Sequence, residues 1–498
     1  MIRKLVLFVV AAVVIVLALA AGAAYWFFSR NGVRLAIEQQ ASAWLGQPVK
    51  VGRASARILP RAAIYLGNIS VGEPARLNLA AVELSTNASA LLRRRVEDAT
   101  VTISDSRIQM PLPFTLPDSS QSSGAESSRA AVQIVSIRAI SLRNVQIVSR
   151  GREIRVSADS SLSGDKLTLR RFTAQSGSTA LDAEGDVALA PTLDARLRVK
   201  ANKLDVDELL ALADAFTPPP STTTSSRKPS APSRIAGRVS AEKASAGGVE
   251  VQQFATDLEI VGDRVVLSPL SFQLFGGRYQ GSLNANLAKT MSLALRSRIE
   301  NLDVAKLAAF GGSPDSITGT LSGAGNFSGE GTDVASVLKT TGGMGTASVV
   351  NGEIRRLNLV RTVVLFFGKP APDSAAGTDK FDRIDASYSL AHQIFSADAF
   401  SFRSRDVDIV GKGTFSTGTE ALDGALDLSL SEELTAQAGT DLRKYTREGN
   451  RIVLPARIGG TLSAPRLTID AARALERGLH NEIQRRLEGI LGGFKNPR

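Results

Sequence analysis

The chain has 498 residues, with 59 Lys and Arg against 48 Asp and Glu, a formal charge of +11. Apolar residues at 43% are ample for a core, charged residues at 21% argue against wholesale disorder, and aromatics at 5% are too few for stacked bases or sugar platforms. There is no cysteine, which removes disulfides, thiol nucleophiles, cysteine zinc sites and iron–sulfur ligation together. The two histidines, His392 and His480, fall in a turn after a strand and in a late helix. They read as surface residues rather than as a triad base or a metal pair.

From Leu5 to Phe28 runs an uninterrupted stretch of 24 uncharged, mostly apolar residues. As a helix it would be about 36 Å long at ~1.5 Å per residue, enough for a bilayer core of ~30 Å. Arg3 and Lys4 precede it, and Tyr25, Trp26, Phe27 and Phe28 close it as an interfacial aromatic group. The expectation is an uncleaved single-pass anchor with the bulk of the chain beyond the membrane. A cleavable signal peptide is the competing reading.

Beyond residue 28 the chain alternates with period two. Leu193, Ala195, Leu197, Val199 and Ala201 interleave with charged and polar residues, and the rhythm returns at Leu283, Ala285, Leu287 and at Leu426, Leu428, Leu430. Such alternation predicts strands with one apolar and one wet face. Segments at 117–129 and 217–234, rich in Ser, Thr and Pro, interrupt it as linkers. An internal repeat is visible: Leu169 matches Leu267, and Leu204-Asp205-Val206 matches Leu302-Asp303-Val304, each 98 residues on. Each copy predicts several strands and then a short helix capped by the Asp. About 25 strands are expected at the usual spacing of ~8–12 residues. Their apolar face must close as a sandwich or curl into a trough, and periodicity does not choose between them.

The most specific motifs flank this body. Gly46-Gln47-Pro48-Val49-Lys50-Val51-Gly52 follows a short amphipathic helix, then come Leu59-Pro60 and Leu66-Gly67-Asn68-Ile69. Late in the chain stand Val350-Asn351-Gly352-Glu353-Ile354 and Gly459-Gly460-Thr461-Leu462-Ser463-Ala464-Pro465. Together they resemble the AsmA family of Gram-negative envelope proteins, related to TamB-like lipid grooves. The resemblance implies an inner-membrane-anchored, single-pass protein with its bulk in the periplasm. The fold it implies is mainly β: an elongated, curled antiparallel β-groove built from repeats, with one N-terminal transmembrane helix and short capping helices. The expected boundaries are an anchor at 1–28, a family-like helix plus strands at 29–116, and a linker at 117–131. A first repeat at 132–216, a second linker at 217–234 and a second repeat at 235–340 follow. A family-like β module at 341–470 and an amphipathic helix at 471–498 complete the chain.

In a groove, Leu193, Leu197, Val199, Leu283, Leu287, Leu293, Leu295, Leu426 and Leu428 would line the trough and solvate phospholipid acyl chains, while any one of them reads equally well as core. No nucleophile elbow, phosphate loop or zinc-protease motif occurs, so no catalytic residue, metal or cofactor is expected. Asp205-Val-Asp207 and Asp406-Val-Asp408 lack the rest of a calcium loop. Basic clusters at Arg93-Arg94-Arg95, Arg170-Arg171, Arg355-Arg356 and Arg485-Arg486 are scattered, which fits anionic head groups or solvent better than nucleic acid. The last helix repeats Leu475, Leu479, Ile483 and Leu487 every four residues. It is expected to plug the end of the sheet, or else to touch a membrane or partner. The function expected is phospholipid binding or movement in envelope biogenesis. The alternatives are an assembly factor that guides outer-membrane proteins by strand-edge pairing and, last, a hydrolase.

Overall fold

The structure, a computed structural model, describes residues 32–57, 61–87, 95–112, 133–134, 136–216, 232–355, 359–367, 378–437, 447–448, 450–461 and 463–493. Two compact units divide the chain, Met1–Gly262 and Asp263–Arg498. The first contains α1 (Gly32–Leu45), β1 (Val49–Arg57), β2 (Ala62–Val71), β3 (Leu77–Thr86), β4 (Arg95–Val96), β5 (Ala99–Ser104) and β6 (Arg107–Met110). Then come β7 (Gln133–Ile134), β8 (Ile137–Ser149), β9 (Arg152–Ser163), β10 (Lys166–Ser176), β11 (Thr179–Ala188), β12 (Asp194–Asp205), α2 (Val206–Phe216), β13 (Arg234–Ala246) and β14 (Val249–Val261).

Most neighbours in this unit are antiparallel, but β8 runs parallel to β5 and β6, and β13 runs parallel to β12. The expectation of a purely antiparallel sheet is therefore corrected to a mixed one. The reason lies in the connections. A two-residue hairpin reverses the chain, whereas a parallel neighbour needs a long return path. The two Ser/Pro-rich segments fall in those returns, between β6 and β8 and between β12 and β13.

The first strands close over a tight core. Leu66, Ile69, Leu77, Val82, Val101 and Ile103 are at most 1% exposed, and Ala41 and Leu45 of α1 pack on them. Helix α1 also covers the outer edge of β1: the Ser42 hydroxyl accepts the Val49 N–H at 2.8 Å, and Glu38 Oε1 accepts the Val51 N–H at 2.8 Å. An edge whose donors are already taken is a poor template for another strand.

The second unit contains β15 (Arg264–Leu274), β16 (Gly277–Asn286), β17 (Met291–Asp303), α3 (Val304–Phe310), β18 (Thr320–Gly331), α4 (Val334–Thr340), β19 (Gly342–Arg355) and α5 (Leu359–Phe366). These lead to β20 (Thr378–Ala391), β21 (Ile394–Arg403), β22 (Val407–Ser416), β23 (Leu422–Leu430), α6 (Glu432–Gln437), β24 (Arg447–Glu448), β25 (Arg451–Thr461), β26 (Ala464–Ile469) and α7 (Ala471–Gly493). From β15 to β23 each strand pairs antiparallel with the next, and β25 then pairs with β23 and β26. The core lies toward the late strands, where Phe402, Leu428 and Leu454 are at most 1% exposed beneath Leu359 and Val363 of α5. Both oxygens of the buried Asp379 carboxylate accept the Leu359 N–H, at 3.1 and 3.0 Å, which fastens the start of α5 to β20.

The internal repeat corresponds to β10-β11-β12-α2 and β15-β16-β17-α3. Each copy carries a register shift at the same place, between Leu169 and Phe172 and between Leu267 and Leu270. The expected caps are present: Asp205 accepts from the Glu208 N–H at 3.0 Å, and Asp303 from those of Ala305 and Lys306. Helix α4 has a fuller device. Asp333 accepts the Ser336 N–H at 2.7 Å while the Ser336 hydroxyl accepts the Asp333 N–H at 3.0 Å. The Ser336 N–H bond leads the causes that hold the Asp333 carboxyl below its ordinary value. A depressed carboxylate stabilises the fold above the unfolded pKa of ~3.9 and loses that contribution as pH falls through its lowered value. Asp333→Ala is thus expected to speed amide exchange in α4 at neutral pH, with the difference from the parent shrinking below about pH 4.

Two expectations are overturned at the ends. The anchor, with Leu5, Trp26 and Phe28, lies outside the described residues. Among the described residues no helix is long and apolar enough to cross a membrane, and the longest, α7, carries seven charged residues. The single-pass inner-membrane protein with a membrane anchor as partner and its bulk in the periplasm therefore has no spanning helix to rest on and is withdrawn. Nor does α7 plug the sheet with its apolar stripe. Small residues, Ala474 and Gly478, are buried, whereas Leu475, Leu479, Ile483 and Leu487 are 62%, 59%, 57% and 52% exposed.

Candidate functional site: an uncovered apolar face

Strand register brings together apolar residues that lie far apart in sequence. Leu267 stands opposite Leu283, Leu283 opposite Leu295, and Leu295 opposite Phe327. The row continues through Gly343 to Leu390, Phe395 and Phe415. It crosses β15 to β22, about 34 Å at ~4.8 Å per strand. Every side chain in it is half-buried, and none belongs to a buried cluster. Neighbouring strands hide the flanks of such side chains, and only a second layer hides their tops. Among the described residues α4 supplies such cover at the margin of this face, where a Cβ on Gly329, two residues along β18 from Phe327, would meet the Val337 carbonyl oxygen; the row itself joins no buried cluster.

Aromatic rings fill the same face. Tyr279 stacks on Phe272 at 4.3 Å between centroids, while Tyr388 lies 6.5 Å from Phe327 and 5.5 Å from Phe395. Burial pushes both tyrosine hydroxyls up from their ordinary value, so they stay neutral at any physiological pH. The charges sit on the other face because successive residues point to opposite sides: Arg296 and Arg298 alternate with Leu295 and Ser297.

A hollow of about 980 Å³ is on that charged face, lined by Arg298, Glu300, Thr346, Arg383, Asp385 and Asp398. Burial pushes the Asp385 carboxyl up, but the Arg383 guanidinium, donating through Nε to both its oxygens at 2.9 and 2.8 Å, together with Ser348 and the charge of Arg403, holds it below its ordinary value. A hollow of paired charges does not solvate an acyl chain, so volume alone would point to the wrong face.

The residues expected to line a trough divide into three groups. Leu283, Leu293 and Leu295 are half-buried on the uncovered face, and Leu197 and Val199 are half-buried in the first unit on β12. Leu193, Leu426 and Leu428 are core, at 5%, 7% and 0% exposure, packed in closed clusters and unavailable to a ligand. Leu287 follows β16 and stands 53% exposed. Phe327, Tyr388, Leu390 and Phe395 were not anticipated. Leu390 and Phe395 meet across the β20–β21 hairpin, but Phe327 and Leu390 join the row only through Leu295 and Gly343, tens of residues earlier, which no local pattern reveals.

The motif residues serve the fold. Gly46 takes a left-handed turn (φ 62°) that ends α1, Val49 is buried beside it, and Gly460 (φ 88°) turns opposite Pro465. Pro48 is exposed in the same turn, and Gly52 lies against Asn68, where a Cβ would come within 2.9 Å. A Cβ on Gly352 would collide with the Phe381 ring and the Thr318 carbonyl oxygen. Pro60 lies outside the described residues. The aspartate pairs are committed elsewhere: Asp207 accepts the Gly247 N–H at 2.8 Å, and Asp408 binds Arg451 at 2.6 Å. Among the described residues no group of three or more His, Cys, Asp or Glu side chains is placed to hold a metal.

Residues 152–396 match the model of the AsmA family. The match runs from β9 to the start of β21, the stretch that contains most of the uncovered row. No curated protein and no solved structure matches the chain.

Proposed function

We propose that this chain, which belongs to the AsmA family through residues 152–396, binds phospholipids by laying their acyl chains along the uncovered face of β15–β22. The observation that carries the reading is the row of Leu283, Leu295, Phe327, Leu390 and Phe395, apolar, uncharged, half-buried and part of no buried cluster among the described residues. A dozen methylenes laid on such a row would gain about 10 kcal/mol at ~0.8 kcal/mol each, before the cost of ordering the chain. The role is a carrier or shield for lipid in envelope biogenesis and outer-membrane integrity, and head groups stay in water at the strand ends. Holding a lipid needs no reactive group, and this reading assigns no catalytic residue.

Guidance of outer-membrane proteins by edge pairing is the weaker reading. The β1 edge has two donors already satisfied by α1, and the β26 edge carries Pro465, which has no N–H to offer. Native mass spectrometry of the full chain with extraction of bound lipid tests the proposal. Phospholipid should co-purify, and Leu283→Asp combined with Leu295→Asp should lower its occupancy at least tenfold, since a carboxylate on the face must be desolvated against the chain. A folded parent protein free of lipid would refute it.

A further inference from the structure

Helix α7 presents an apolar stripe that is more than half exposed among the described residues. Its start is fixed: Asp470 caps it through Oδ1 at 3.1 Å from the Arg473 N–H, and Arg477 Nη1 binds Asp427 Oδ1 at 2.8 Å. Ala474 and Gly478 face the sheet. Past Gly478 no described side chain is buried. Successive positions of the stripe, Leu475, Leu479, Ile483 and Leu487, turn about 40° each, so all four lie within about 120° of arc, away from Ala474 and Gly478. All are more than half exposed, which is unusual for a line of long aliphatic side chains on a soluble surface.

We propose that α7 lies flat on the surface of an anionic lipid bilayer, with this stripe in the boundary between head groups and acyl chains. The charge of the segment matches that partner. Residues 471–498 carry six Lys and Arg against three Glu and no Asp, within a chain of +11. The helix is long enough, about 34 Å, to rest on a membrane, but it is too charged to cross one. A spacing of four drifts around the helix and departs from the 3.5 repeat that seats a coiled-coil partner, which argues against a second copy of α7 as the cover. The inference is independent of whether lipid occupies the sheet.

The absence of native cysteine allows a local readout in the full chain. Single variants Leu479→Cys, Ile483→Cys and, as a control on an exposed turn, Lys289→Cys would each carry a fluorophore. They would be mixed with vesicles containing doxyl-labelled lipid, either phosphatidylglycerol with phosphatidylcholine or phosphatidylcholine alone. Labels at 479 and 483 should be quenched at least twofold by the anionic vesicles and much less by the neutral ones, while the label at 289 stays unchanged. Three results would overturn the proposal: no quenching at 479 and 483, equal quenching by neutral vesicles, or concentration-dependent self-quenching without vesicles, which would assign the stripe to a second copy.

Discussion

Phe402→Ala is expected to destabilise the second unit by about 3–5 kcal/mol, whereas Leu295→Ala, on the same face of the same run of strands, should cost about 1 kcal/mol or less. Phe402 is 1% exposed, and its ring lies 5.5 Å from that of Phe381. Register sets it opposite Ile384 and Ile409, with α5 over the cluster, so truncation leaves a cavity that the surroundings cannot fill. Leu295 is flanked by Leu283 and Phe327, belongs to no buried cluster among the described residues, and is already half-exposed to solvent in the free protein. Amide exchange followed separately on β21–β23 and on β16–β18 would read the two costs. Comparable destabilisation at both sites would mean that the row over β16–β18 is core after all.

The second large effect is expected at Gly237. In the parallel pair of β12 and β13 it stands opposite Leu197, and on the other side Leu197 faces Gly185. A Cβ at Gly237 would collide with the Leu197 carbonyl oxygen, and one at Gly185 (φ 147°) with the Arg196 carbonyl oxygen. These contacts are with backbone, which cannot swing away as a side-chain tip can. Gly237→Val should therefore part β12 from β13 locally, at about 3 kcal/mol or more, with loss of exchange protection on both strands. Val239→Ala, two residues on along the same face, should cost about 1–2 kcal/mol and leave the pairing intact. Protected β12 and β13 amides in Gly237→Val would show that the two strands can separate enough to admit a side chain.

Much of the strand content is legible in the alternation itself. The 98-residue repeat even anticipates matching hairpins, helices and aspartate caps, because these depend on residues within one or two strands of each other. What alternation cannot carry is cover. Leu283 and Leu428 sit in the same kind of pattern, yet Leu428 is closed over with the help of Leu359 and Val363, some 65–70 residues earlier, and Leu283 is not. The parallel pairings are hidden for a similar reason. The Ser/Pro-rich segments announce a break in the alternation but not the direction in which the chain returns. In α7 the periodicity identifies the apolar stripe correctly and gives the wrong side to dock, since the contact with the sheet is made by Ala474, Gly478 and the Arg477–Asp427 pair.

The central claim, that lipid lies on one face of β15–β22, is tested most directly by two adjacent residues. Leu295 and Arg296 follow one another on β17 and point to opposite sides of the sheet. A benzophenone amino acid placed at 295, and separately at 296, in the full chain would be irradiated in cells and the adducts identified by mass spectrometry. The account predicts phospholipid acyl-chain adducts from position 295 and none above background from 296. Adducts from neither position, or equally from both, would contradict it.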